Sequence, residues 1–146
     1  MNISGTVGAI LNHKGHQVYS ISPEATVFEA IQLMADKNVG ALLVISEEQL
    51  VGLISERDYT RKVALKGKSS RETKVKEIIS RPVVSATPGH SVEECMRMMT
   101  NNRVRHLPVL EGEKLVGIVS IGDVVNWTIS AQDAAIEQLK SYITGL

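Results

Sequence analysis

The chain has little of what would tie it to a particular compartment or chemistry. Cysteine occurs once, at Cys95, so an internal disulfide is excluded and no oxidising compartment is required. Aromatic residues are 3% of the 146, which leaves few stacking platforms for bases. The 16 Lys and Arg balance the 16 Asp and Glu, so no net field draws the chain to nucleic acid or to a membrane. No apolar run approaches the roughly 20 residues of a transmembrane helix, and the amino terminus lacks the basic-then-apolar order of a signal peptide. A nucleophile elbow, a Walker loop and a convincing pair of buried carboxylates are all missing, so no catalytic residues are expected. The simplest location is the cytoplasm.

What the sequence does contain is a repeat. LVGLISERD, at Leu50 to Asp58, returns as LVGIVSIGD at Leu115 to Asp123. Gly52 and Gly117 stand 65 residues apart, as do Asp58 and Asp123. The same offset links Val18 with Val83, Pro23 with Pro88, Glu29 with Glu94, Met34 with Met99 and Val44 with Val109. Two units of about 60 residues would each be marginal alone, so the copies are expected to share one core. The divisions are 1–17, a lead-in helix and turn; 18–66, the first repeat; 67–82, a linker with a second lead-in helix; 83–129, the second repeat; and 130–146, a C-terminal helix.

Within each copy the pattern predicts strand, helix, strand, strand, helix. Val7, Ile10 and Leu11, then Val75, Ile78 and Ile79, have the helical spacing of the two lead-ins. Extended segments Val18 to Ser22 and Val83 to Thr87 stop at Pro23 and Pro88. Thr26 with Glu29 and Ser91 with Glu94 read as capping boxes. The helices they open carry apolar stripes through Val27, Ala30, Ile31 and Met34 and through Val92, Cys95, Met96 and Met99, so Cys95 and the methionines read as core. Gly40 to Ile45 and Leu107 to Leu110 pair with the return strands Leu50 to Ile54 and Leu115 to Val119 as hairpins. The tail carries Ile136, Leu139 and Ile143 at helical spacing and ends at Gly145, a glycine stop.

Charge cancels overall but not locally. Arg57, Arg61, Lys62, Lys66, Lys68, Arg71, Lys74, Lys76 and Arg81 make a basic middle segment, read as solvated, with Arg57 and Arg61 as candidates to face an anion.

The repeated motif offers specific chemistry. Gly52 and Gly117 leave room in a strand for close approach of a backbone or ligand. Ser55 and Ser120 sit at strand-to-helix junctions, where free amides and the helix dipole favour an anion. Asp58 and Asp123 can accept paired hydrogen bonds from a ribose diol. The same spacing also makes a capping box, and the two readings weigh about evenly.

The two copies resemble the cystathionine beta-synthase (CBS) domain, and the whole chain resembles a free-standing tandem pair, or Bateman module. The resemblance rests on the gapless repeat, the Gly, Ser, Asp ending of both copies and RHLPV at Arg105 to Val109. It implies an α/β (α+β) fold of two βαββα repeats about a pseudo-twofold axis, with two clefts that bind adenosine compounds such as AMP, ADP, ATP, NAD or S-adenosylmethionine. On that resemblance Asp58 and Asp123 hold a ribose, with Ser55 and Ser120 beside ribose or phosphate. Ser20, Ile21, Ser22, Ser85, Ala86 and Thr87 line the adenine. Arg105 and His106 stand where family members often bind phosphate; Arg57 is the second candidate for it. Gly40 and Ala41 match Arg105 and His106, so the sites are unequal. His106 can equally be a hydrogen-bonded structural residue, and without a second histidine at metal spacing no metal site is expected. The resemblance further implies a regulatory module without a catalytic cofactor, a homodimer packed through helices around Val124, Val125 and Trp127, though Trp127 could equally belong to the core, and an unidentified downstream protein partner. Two alternatives stand beside ligand sensing: a structural dimerisation module without ligand, and nucleic-acid binding through the basic 57–81 segment, the weaker of the two.

Overall fold

The computed structural model describes residues 5–79 and 83–144. Arg81 of the basic segment and the glycine stop at Gly145 lie outside the described residues. In chain order the elements are α1 (Val7–Lys14), β1 (Ser20–Ile21), α2 (Val27–Lys37), β2 (Ala41–Ser46), β3 (Gln49–Ser55), α3 (Glu56–Tyr59), α4 (Val92–Asn102), β4 (His106–Glu111), β5 (Lys114–Ser120) and α5 (Ile121–Thr144). A wider π-type turn over Thr60–Ala64 extends α3, and a single 3-10 turn covers Val75–Glu77.

The chain divides into two compact units, one of Val18–Val83 and one of Met1–Gln17 with Val84–Leu146. Each has its own cluster of buried apolar residues. In the first, Val27, Ala30 and Met34 of α2 meet Leu42, Val44 and Ile54 of the hairpin, with Val63, Val75 and Ile78. In the second, Val92, Cys95 and Met99 of α4 meet Leu107, Val109 and Val119, with Val7, Ile10, Leu11 and Val124. Cys95 is fully buried, and burial pushes its thiol pKa up, as expected of an inert core residue.

The lead-in segments are exchanged between the copies. Helix α1, written before the first repeat, belongs to the second unit; the turn at Val75–Glu77, written before the second repeat, belongs to the first. Equivalent backbone bonds fix both. Val7 donates to His90 and Val92 to Gly5, while Val75 donates to Ala25 and Val27 to Thr73, at 2.8 to 3.1 Å. Through this exchange each unit gains a third apolar layer over its hairpin and reaches a workable core from about 60 residues.

The two hairpins pair in equivalent register. β2 pairs antiparallel with β3, with Val44 opposite Gly52 and a register shift after it; β4 pairs with β5, with Val109 opposite Gly117 and the same shift. The gap at each glycine is filled from within its own unit. A Cβ on Gly52 would lie 2.7 Å from Ile79 Cδ1, and one on Gly117 2.7 Å from Leu11 Cδ2. Lead-in side chains, and not a ligand, approach the strand there.

Several expected elements differ. The second lead-in helix is only the three-residue turn Val75–Glu77. The segment 83–87 makes one parallel bridge, Ala86 to Val109, where its counterpart β1 forms a short parallel strand with β2. Thr87 donates its amide to His90 Nδ1 at 2.9 Å, which takes that amide out of any ladder. Thr26 and Ser91 accept the amides of Glu29 and Glu94 at 3.1 and 3.0 Å, so the hydroxyl half of each expected box forms. Helix α5 runs unbroken through the residues expected to start a separate tail helix. Val124 is buried, and Trp127 is half-buried and packs on the core beside Gly5.

Candidate functional site

Each unit ends its return strand in one corner built from the repeated serine and aspartate. In the first unit, Ser55 caps α3: Asp58 Oδ2 accepts the Ser55 amide at 2.9 Å and its hydroxyl at 3.1 Å. Ser55 Oγ in turn accepts the Asp58 amide at 3.2 Å. The second unit repeats this at α5, with the Ser120 amide 2.8 Å from Asp123 Oδ2 and the Asp123 amide 3.1 Å from Ser120 Oγ. The reciprocal box is therefore made with the shorter aspartate, not with Glu29 and Glu94, and the capping reading of the motif holds at both sites. Capping uses part of what a carboxylate offers, since its two oxygens have about four acceptor positions.

A lysine completes each corner. Lys62 Nζ lies 3.1 Å from Asp58 Oδ1 and donates to the Ile78 carbonyl at 2.9 Å. Lys14 Nζ lies 2.6 Å from Asp123 Oδ2 and donates to the Ile118 carbonyl at 2.8 Å. Both ammonium groups tie the motif carboxylate to a backbone carbonyl. Sequence reasoning missed both. Lys62 was within reach, because it stands four residues after Asp58, the spacing of a helical ion pair. Lys14 was not, because it closes α1, 109 positions away from Asp123 in the sequence.

Of the residues flanking the motif, His106 joins this corner directly. It pairs with Ser120 across β4 and β5. Burial pushes its imidazole pKa down; the Asp123 carboxylate opposes this, and the Lys14 and Arg105 cations reinforce it. Arg105 is exposed, and its carbonyl accepts the Ile121 amide at 2.8 Å where the chain turns into α5. In the first unit Gly40 gives the equivalent carbonyl bond, to Glu56 at 3.1 Å, with no side chain to add charge. Arg57 is half-buried in the first turn of α3.

The early segments meet the hairpins from the other side. Ser20 and Ile21 lie beside Leu43 and Val44 of β2, whereas Ser55 lies opposite Ala41 across the β3 ladder. Ser22 Oγ accepts the Glu24 amide at 3.2 Å, and Thr87 Oγ1 lies 3.1 Å from His90 Nδ1. Ser85 is half-buried and Ala86 fully buried. The two hydroxyls expected at the adenine thus already make local bonds, that of Thr87 with His90.

The basic middle segment is largely drawn into the first unit. Lys74 and Lys76 both bind Glu24, at 3.0 and 3.1 Å, and those hydrogen bonds hold its carboxyl below the usual range. Arg71 lies 3.8 Å over the Phe28 ring. Arg61, Lys66 and Lys68 remain exposed. Among the described residues no group of three or more His, Cys, Asp or Glu could hold a metal ion, and no helix is long and apolar enough to cross a membrane.

Comparison with known proteins completes the picture. The CBS-domain family model matches residues 7–65 and 75–130. The mitochondrial CBS domain-containing protein CBSX3 of Arabidopsis thaliana is 36% identical over 97% of this chain and 73% of its own length. A putative signal-transduction protein with CBS domains from Burkholderia ambifaria is 45% identical, with a TM-score of 0.84 over 88% of this chain and 96% of that one. The CBS domain pair of protein MJ0100, solved with 5′-methylthioadenosine and S-adenosylmethionine, shares the fold at 23% identity, with a TM-score of 0.73 over 84% of this chain and 94% of that one.

Proposed function

Because the chain belongs to the CBS-domain family, as a tandem pair, we propose that it is a regulatory module that binds an adenosine compound and passes the result to a partner protein through a change in shape or assembly. The observation that carries this reading is the duplicated corner of serine, aspartate and lysine at Ser55, Asp58 and Lys62 and at Ser120, Asp123 and Lys14. Each corner sets a carboxylate suited to a ribose diol beside an ammonium suited to a phosphate. In this proposal Ser20, Ile21, Ser22, Ser85, Ala86 and Thr87 line the adenine, and Arg57, Arg105 and His106 serve the phosphates. AMP, ADP, ATP and NAD are the candidate ligands, with S-adenosylmethionine a fifth. The role is regulatory and not catalytic, the working form is a homodimer in the cytoplasm, and an unidentified protein receives the signal. A ligand that prefers one state 100-fold supplies about 2.7 kcal/mol, enough to switch an element balanced within a few kcal/mol.

One observation favours a second reading. Both aspartates already cap a helix and bind a lysine, which is what a purely structural module would need of them. Nucleic-acid binding has less support, since Lys62, Arg71, Lys74 and Lys76 are engaged inside their own unit.

Thermal unfolding with AMP, ADP, ATP, NAD, NADH and S-adenosylmethionine separates these readings, with Asp58→Ala and Asp123→Ala as controls. A ligand at 100 times its dissociation constant adds about 2.7 kcal/mol, a shift of several degrees. A shift lost in one aspartate variant identifies the working corner. No shift in protein free of carried-over ligand leaves the structural module.

A further inference from the structure

Helix α5 carries along its length an apolar stripe that its own unit does not cover. Val125, Ile129, Ile136, Leu139 and Ile143 are 48%, 50%, 49%, 63% and 85% exposed. Together with Gln132 they follow one another at alternating steps of four and three residues, the heptad spacing of a coiled-coil seam and not the broader face of a core helix. Ile129, Ile136 and Ile143 take every a position; Val125, Gln132 and Leu139 take the d positions. Side chains that do face the unit, Val124 and Trp127, fall off this seam. Most of the stripe lies beyond residue 130, where the family match ends.

We propose that this seam pairs with the same seam of a second copy of the chain, as an antiparallel two-stranded coiled coil. Flanking charge selects the partner and the register. When Ile136 packs against Leu139 of the second copy, twice by symmetry, the e position Asp133 faces the second copy's Lys140, also twice. Lys140 keeps its reach to Glu137 of its own helix, at 3.4 Å, on the flank of the seam. Sliding one way by a heptad sets Asp133 against Asp133; sliding the other way sets Lys140 against Lys140. A parallel pair would place Thr128 and Ala135 opposite these charges and gain nothing from them. Charge also argues against a lipid surface, because the polar flank carries Asp133 and Glu137 beside its one Lys140. This inference does not depend on nucleotide binding.

Sedimentation equilibrium of the full chain tests it. At a concentration where the wild type is dimeric, Ile136→Glu with Leu139→Glu raises the dimer dissociation constant at least tenfold. The unfolding midpoint of the monomeric unit stays unchanged, since both side chains are exposed. Asp133→Lys and Lys140→Asp each weaken the dimer several-fold, and the two together restore it. A wild type that stays monomeric, or a dimer that the Ile136 and Leu139 changes leave intact, overturns the seam. A dimer lost with those changes but blind to both charge reversals overturns the antiparallel register.

Discussion

Leu11 stands where a side chain on Gly117 would go: a Cβ at position 117 would lie 2.7 Å from Leu11 Cδ2, and the same relation holds between Ile79 and Gly52. Each glycine is the seat of a lead-in segment exchanged from the other repeat. Gly117→Ala is expected to destabilise the chain by about 1–3 kcal/mol through overpacking, and Gly52→Ala by a similar amount. Urea unfolding measures both. Adding Leu11→Val to Gly117→Ala should cost less than the two single effects combined, because each change relieves the other.

The aspartates are not equivalent, although both accept the amide of their capping serine. Lys14 and Asp123 are 28% and 22% exposed, against 41% and 14% for Lys62 and Asp58, so the more sheltered cation belongs to Asp123. Asp123→Ala removes the cap, about 1 kcal/mol, and also strips Lys14 of its carboxylate. It should cost more than Asp58→Ala. Asp123→Asn, which keeps an acceptor for the Ser120 amide, should recover part of the loss in chemical denaturation.

Lys14 also bears on ligand choice. If an adenosine compound occupies the corner at Asp123, Lys14→Met should weaken AMP about tenfold and adenosine much less, because the ammonium favours the phosphate. Calorimetric titration of both ligands decides this. Equal losses for the two would limit Lys14 to shaping the ribose corner.

His106 sets a pH dependence whose sign follows from its burial. Its folded pKa lies below the ordinary 6.5, so between the two values the unfolded chain binds the extra proton. The stability is whole above pH 6.5 and falls as pH drops through that value toward the folded pKa. His106→Gln should flatten the stability profile below about pH 6.5, as read by denaturant midpoints across a buffer series.

The repeat, its βαββα order, the two amphipathic helices α2 and α4 and both hairpins were legible in the sequence, because period and turn chemistry are local properties. So was the motif at Ser55 to Asp58 and Ser120 to Asp123, and its double meaning as cap or ligand corner. Composition bounded the chain's size and charge, and the regulatory reading came from its resemblance to a known family. What lay beyond it were relations between distant residues. That α1 seats on β5 and Val75–Glu77 on the first repeat depends on which apolar faces meet, and the two lead-ins look alike from within the chain. Lys14 reaches Asp123 across 109 positions, a pairing that no spacing rule encodes. Trp127 shows the same limit: its place on one helix could be read from sequence, but whether it faced core or solvent was decided by Gly5, far off in the chain and brought against it only by the fold.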